Sequence, residues 1–271
     1  MLFRSPHFEL YFIVSGNNGV ITKWQYATTS SFASPIDISS TLNQNINSYT
    51  ASGLTVTTYY RALINNGACT AYTNTATLTV DSSSVGGTLA GSGAICVGSN
   101  SPSMSLSGQR VTIIRWESST ASNFSSNVTT INNTTASYVA SGLTATTYFR
   151  VLVKNGACDS AYSTAATVTV NQTSVGGTVS GGGTICRGSS ATLTLGSNLG
   201  SIVKWQWSAS ADFSTTITDT AVTANPLTIN NLTSTRHYRA VVQNGVCAAT
   251  NSGTASIIVS QLSVAGTISG A

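Results

Sequence analysis

Five cysteines are the side chains in this chain with the most chemistry to offer, and their spacing narrows what that chemistry is. Cys69, Cys158 and Cys247 stand 89 residues apart, each at the end of one recurring stretch. The three copies are Gly53–Cys69 (GLTVTTYYRALINNGAC), Gly142–Cys158 (GLTATTYFRVLVKNGAC) and Asn231–Cys247 (NLTSTRHYRAVVQNGVC). Cys96 and Cys186 occupy an earlier position in the second and third copies. There is no Cys-x-x-Cys, and the only histidines are His7 and His237, so the ligand set of a metal site is missing. Disulfide formation is the chemistry left. The odd count follows if the first copy has lost an early segment with its cysteine, which leaves Cys69 unpaired by truncation.

No other constellation supports catalysis. The seven carboxylates do not pair up in sequence or recur at one repeat position, and neither histidine recurs beside a serine. Calcium-type acidic clusters are absent, and no cofactor is expected. Arg61, Arg150 and Arg239 recur, and a regular arginine on a sheet could grip an anionic glycan or cover apolar surface with its stem. Trp207 is a second candidate for ligand contact, by stacking on a sugar. The remaining recurring residues read as core. These are Trp24, Trp116 and Trp205, then Leu54, Leu143 and Leu232, each leucine followed six residues later by Tyr60, Phe149 or Tyr238.

The elements that must carry these residues are strands. Apolar residues alternate at period two, as in Ala191–Leu195 (ATLTL) and Ala76–Val80 (ATLTV), and no helical period is sustained. Gly-Gly, Asn-Gly and Ser-Gly pairs punctuate the runs. A fixed period near 89 residues means tandem modules. The fold class is all-β: tandem immunoglobulin-like or fibronectin type III-like antiparallel sandwiches, the first one truncated. The expected modules are 1–87, 88–177 and 178–266, with 267–271 the start of a further repeat, so the chain reads as a fragment with more modules on each side. They meet at Ser84–Gly87 (SVGG), Ser174–Gly177 (SVGG) and Ser263–Gly266 (SVAG). The leucine-to-aromatic spacing resembles the tyrosine corner of such sandwiches, although Phe149 has no hydroxyl.

The expected bridges are Cys96–Cys158 and Cys186–Cys247, each closing a loop of ~60 residues worth ~4 kcal/mol in the chain-entropy account. They place the protein outside the cytoplasm. A conflict accompanies this pairing. In the usual sandwich a cysteine before the second strand and one after the sixth lie at opposite poles, far beyond the ~7 Å that a bridge spans. Either the early segment folds back differently or the bridge joins adjacent modules, for instance Cys96 to Cys247. Pairing within a module is the preferred reading.

Composition excludes several partners. Only 7% of residues are charged, against roughly 25% in ordinary domains, so Ser, Thr and Asn make the surface wettable. The net charge of +4 forms no basic stripe, and nucleic acid is not an expected partner. No apolar run reaches the ~18 residues of a membrane helix, so no membrane insertion is expected of this segment.

The openings Ile95-Cys96-Val97-Gly98 and Ile185-Cys186-Arg187-Gly188, the recurring strand tryptophan and the GLTxTTYYRxxxxNGxC stretch resemble immunoglobulin-like repeats of very large Bacteroidetes cell-surface proteins, gliding-motility adhesins among them. That resemblance implies export by the type IX system and O-glycans at Asp-Ser/Thr-apolar motifs, which Asp159-Ser160-Ala161 and Asp219-Thr220-Ala221 fit. The expectation is a non-enzymatic structural or adhesive segment of a secreted or cell-surface protein. Its partners would be adjacent repeats, with surface glycans or other cells beyond them. The alternative is a set of carbohydrate-binding accessory modules of a secreted polysaccharide-degrading enzyme. That alternative calls for a recurring aromatic platform, whereas the repeat position of Trp207 holds Tyr26 and Ser118.

Overall fold

The computed structural model describes residues 10–269. Among them there is no α-helix, only strands and the short 3-10 turn Ser39–Thr41. Buried apolar residues gather into three separate clusters, around Trp24, Trp116 and Trp205. Each sandwich therefore has its own core.

The second module shows the pattern. Thr88–Ala90, Met104–Ser107 and Ser137–Tyr138 make a small sheet. The larger sheet runs in the order Thr129–Ile131, Thr112–Ser119, Thr147–Lys154, Ala166–Asn171, Gly93–Cys96. The third module repeats this with Thr178–Ser180, Ala191–Gly196 and Leu227–Ile229 facing the sheet that contains Ser201–Ser208 and Arg236–Gln243. In the first module the small sheet has two described strands, Leu10–Ile13 and Ser48–Ala51. Phe12 and Val14 face its core while Tyr11 and Ile13 are exposed, the phase expected from the aligned repeats.

Each core tryptophan owes its position to a bulge. Ile21 and Trp24 are three residues apart yet both buried, as are Ile113 and Trp116. A regular strand would turn one of them outward. The pairing register shifts between Ile21 and Lys23, between Ile113 and Arg115, and between Ile202 and Lys204. That one-residue shift returns the indole to the inner face. There its N–H donates to a carbonyl on the far sheet side: Ile46 (2.9 Å), Thr135 (3.0 Å) and Ala224 (3.0 Å).

The early cysteine strand differs from the rest by pairing in parallel. Gly93–Cys96 lies along Ala166–Asn171 with Cys96 opposite Asn171, and Gly183–Cys186 lies along Ala255–Ser260 with Cys186 opposite Ser260. Cys96 thus sits at the pole where the chain leaves its module. Cys158 follows Thr147–Lys154, which runs antiparallel to Ala166–Asn171, and so sits at the pole where the chain enters. The two within-module bridges expected from spacing therefore do not form. The bridge present is Cys96–Cys247, between the second and third modules, with Cα atoms 4.8 Å apart. Cys158, Cys186 and Cys69 are free, Cys158 buried and the other two exposed.

Candidate functional site

The most constructed region outside the cores is the joint between modules, and it is built twice from the same parts. At the first joint the turn Asn155–Cys158 reaches back to the linker. The Asn155 amide N–H donates to Ser84 Oγ (2.9 Å), Asn155 Nδ2 to the Ser82 carbonyl (2.8 Å), and the Ala157 N–H to Asp81 Oδ2 (3.1 Å). At the second joint Asn244 donates to Ser174 Oγ (2.9 Å) and to the Gln172 carbonyl (2.8 Å), and the Val246 N–H to Asn171 Oδ1 (3.4 Å). The Asn-Gly turn and the serine of the SVGG joint are thus lock and key. None of these contacts needs a full charge on both partners.

Glycine is required where the two sides touch. Gly156 and Gly245 have positive φ, 48° and 54°, and a Cβ there would also displace the Asp81 and Asn171 side chains that grip the turn. In the linker, a Cβ on Gly86 would meet the Tyr162 carbonyl oxygen at 1.8 Å, and one on Gly176 the Asn251 oxygen at 2.0 Å. Both linker glycines therefore allow backbone to lie on backbone. The backbone also pairs across each joint: Thr164 N–H to Gly87 O, Gly253 N–H to Gly177 O, and a reciprocal pair between Val175 and Leu199.

The cysteines complete this arrangement. Cys247 lies against the Asn171 and Gln172 carbonyls, where Cys96 reaches it. The Cys158 thiol occupies the same place at the first joint and donates to the Ser82 carbonyl (3.2 Å). It lacks only a partner from the first module. Counted back from Trp24, that partner's position falls within residues 1–9, outside the described residues, and none of those nine is cysteine.

The recurring arginines are stacked. Arg61 lies between the rings of Phe32 (4.0 Å) and Tyr72 (3.7 Å), Arg150 between Phe124 (4.2 Å) and Tyr162 (3.6 Å), and Arg239 over Phe213 (4.1 Å). Their Nε groups donate to Gln25, Glu117 and Gln206. The three phenylalanines escaped the sequence reading although each follows its tryptophan by eight residues, a signal open to inspection. All three have positive φ, near 51–56°, a backbone conformation uncommon for a bulky residue. Trp207 is half-buried against the third core, and Arg236 stacks on its ring at 3.8 Å.

Trp24, Trp116, Trp205, Tyr60, Phe149, Tyr238 and Leu232 are buried, and Leu54 and Leu143 pack against their cores from partly exposed positions. Burial beside Tyr49 and Tyr26 pushes the Tyr60 phenol up to about 12. Two of the carboxylates do share a repeat position, contrary to the sequence reading. Asp37 lies opposite Gln25 and Asp219 opposite Gln206, and each pairs with a lysine, Lys23 at 2.7 Å and Lys204 at 2.6 Å. The match is hidden because the two aspartates stand 13 and 14 residues after their tryptophans and 17 and 13 before their leucines, so neither landmark aligns them. Buried Glu117 takes this role in the second module and bridges Arg115 and Arg150. Burial opposes its ionisation, but the hydrogen bonds and charge of Arg150 and Arg115 outweigh it and hold the carboxyl below its ordinary value. Of the two short glycan motifs, Ser160 is exposed, whereas the Thr220 hydroxyl donates to the Trp205 carbonyl (3.1 Å). Among the described residues no group of three His, Cys, Asp or Glu could hold a metal, and no helix is long and apolar enough to cross a membrane.

Two sheets per module, a core tryptophan on a bulged strand and a parallel early strand define tandem immunoglobulin- or fibronectin type III-like sandwiches. Residues 10–82, 85–172 and 175–261 each match the family described as Domain of unknown function (DUF8696), and the chain belongs to that family, in three copies. Among solved structures it is similar to three immunoglobulin domains of titin, I67–I69, in an E-to-A variant. There the identity is 14%, with 88% of each chain covered and a TM-score of 0.50. The I67–I69 I-band fragment of titin gives 13% identity over 96% of this chain and 100% of that one, at 0.49. The chicken CNTN1 FN1–FN3 domains give 14% over 89% and 90%, at 0.32. At such identity the likeness concerns fold. No curated protein matches the sequence.

Proposed function

We propose that this chain is a non-enzymatic spacer segment of a secreted or cell-surface protein, in which each module is held at a set angle to the next. The observation that supports this best is the repeated joint: the same turn, serine and glycines meet at both linkers, and a disulfide spans one of them. Flexible linkers need no such parts. We take the module limits as 1–87, 88–177 and 178–266, each cut falling just after the SVGG or SVAG joint. The bridge favours an oxidising compartment, and the motif resemblance favours a bacterial surface adhesin exported by the type IX system. Adhesion to glycans or to other cells would then be a property of the assembled segment.

Small-angle scattering tests the spacer role. Because the joint is held by hydrogen bonds and close contact, the maximum dimension should be the same at about 0.05 M and about 1 M salt, where the screening length falls from over 10 Å to about 3 Å. A salt-dependent dimension, or a broad spread of module orientations, would overturn it. A glycan array tests adhesion separately, with saturable binding lost in Trp207→Ala as the positive result.

A further inference from the structure

The guanidinium stack recurs in all three modules but is complete in only one. In the second module Arg150 has a ring on each face, Phe124 and Tyr162. It also has a carboxylate on its edge: Glu117 accepts from Nε (2.9 Å) and pairs with a terminal nitrogen at 2.8 Å. The Tyr162 hydroxyl closes the group by donating to Glu117 (3.3 Å). In the first module Arg61 keeps both rings, Phe32 and Tyr72, but has neutral Gln25 on its Nε. In the third, Arg239 has Phe213 on one face and Gln206 on its Nε. Among the described residues no ring lies on its other face, and no acceptor meets its terminal nitrogens.

One residue accounts for the missing ring. Tyr72 lies opposite Leu63, Tyr162 opposite Leu152 and Asn251 opposite Val241, in each case the residue two after the arginine. Asn251 thus stands in the tyrosine's position, its backbone carbonyl against Gly176 as that of Tyr162 is against Gly86. It is exposed, and its amide is smaller than a phenol by the breadth of a ring, which leaves a notch beside Arg239. The surrounding charge favours an anion. Lys204 and Arg239 stand against the single carboxylate of Asp219, and Lys204 (2.6 Å) and Gln206 (2.8 Å) already hold that carboxylate. A guanidinium with a bare face and a free edge takes an aromatic ring on the first and a carboxylate on the second.

We propose that the third module binds an acidic, tyrosine-bearing segment of another protein at Arg239. The partner's ring lies on the open face and sandwiches Arg239 against Phe213. Its hydroxyl donates to Gln206 Oε1, as that of Tyr162 donates to Glu117. A carboxylate next to that tyrosine takes the terminal N–H groups, the part Glu117 plays for Arg150. The partner therefore supplies from outside what the second module supplies from its own chain. An acidic sugar offers the carboxylate but no aromatic face, so the notch selects the peptide. The other two arginines do not compete, since both of their faces are covered.

The test is NMR of the full chain, following the arginine Nε–H resonances as a blocked Asp-Tyr dipeptide is added. The Arg239 resonance should shift and saturate with a Kd on the order of 1–10 mM, fitting a contact made by one ring and one carboxylate, while that of Arg150 stays still. Blocked Ser-Tyr and Asp-Ala dipeptides, which lack the carboxylate or the ring, should each bind about fivefold more weakly. Asn251→Tyr installs the residue that two modules already carry, so it should keep the fold and abolish the shift. Arg239→Lys keeps the charge but loses the plane, and should weaken binding about fivefold or more. Three results would overturn the proposal: no saturable shift at Arg239, an Asn251→Tyr chain that binds like wild type, or glucuronate binding as tightly as the Asp-Tyr dipeptide. Each of them leaves the spacer role, which scattering tests, untouched.

Discussion

Gly86 shows how much one missing methyl group decides. The Tyr162 carbonyl lies where a Cβ would be, so Gly86→Ala must push the first linker off its module. The cost should be about 1–3 kcal/mol of joint stability, as for other overpacked sites. Limited proteolysis should then cut near Ser82–Val85 while the melting of isolated modules is unchanged. Glu117 carries a different kind of consequence. Glu117→Gln leaves two arginines around a neutral, buried group and should destabilise the second module by about 3 kcal/mol at neutral pH. Its carboxyl is depressed in the fold, so that stabilisation is present above the ordinary carboxylate value and lost as pH falls through the lower folded one. Urea unfolding should therefore show wild type and variant converging in acid, and a gap that persists at low pH would contradict this ion network. Thiol labelling of the native chain should modify Cys69 and Cys186 quickly and Cys158 only on unfolding. At this scale the sequence was legible wherever a residue recurred at fixed spacing, as the tryptophans and the aromatic after each leucine do. It was opaque for Asp37 and Asp219, because the loops on both sides of them differ in length, one residue shorter before Asp37 and four longer after it, and only the sheet realigns them.

Among elements, the bulged strand and the parallel early strand carry the most. Alternation marked the strands correctly, but period two does not bury both Ile113 and Trp116, and only the register shift does so. Trp205→Ala should cost about 3–5 kcal/mol, from lost burial, a cavity and an orphaned Ala224 carbonyl. Chemical denaturation should place that loss in the third module alone, since the three cores are separate. The direction of the early strand was not legible. Spacing alone made Cys96–Cys158 attractive, and the distance between the poles was the correct warning against it. Once Gly93–Cys96 runs parallel to Ala166–Asn171, the cysteine belongs to the joint rather than to its own module.

For the molecule as a whole, three cores and two copies of one joint make a chain whose neighbours are specified. Reduction, or Cys96→Ser, should leave the hydrogen bonds of the second joint in place and the scattering profile nearly unchanged in buffer, while lowering the denaturant midpoint of the two linked modules. The bridge joins residues 151 positions apart, across most of both modules. If such a chain is pulled from its two ends, tension entering at Cys96 crosses to Cys247 through one sulfur–sulfur bond. Everything between them is shunted out of the force path. In optical tweezers the oxidised chain should fall short of the reduced one by a contour of roughly 500 Å, at about 3.4 Å per residue. A tether built this way stops lengthening long before its polypeptide is spent.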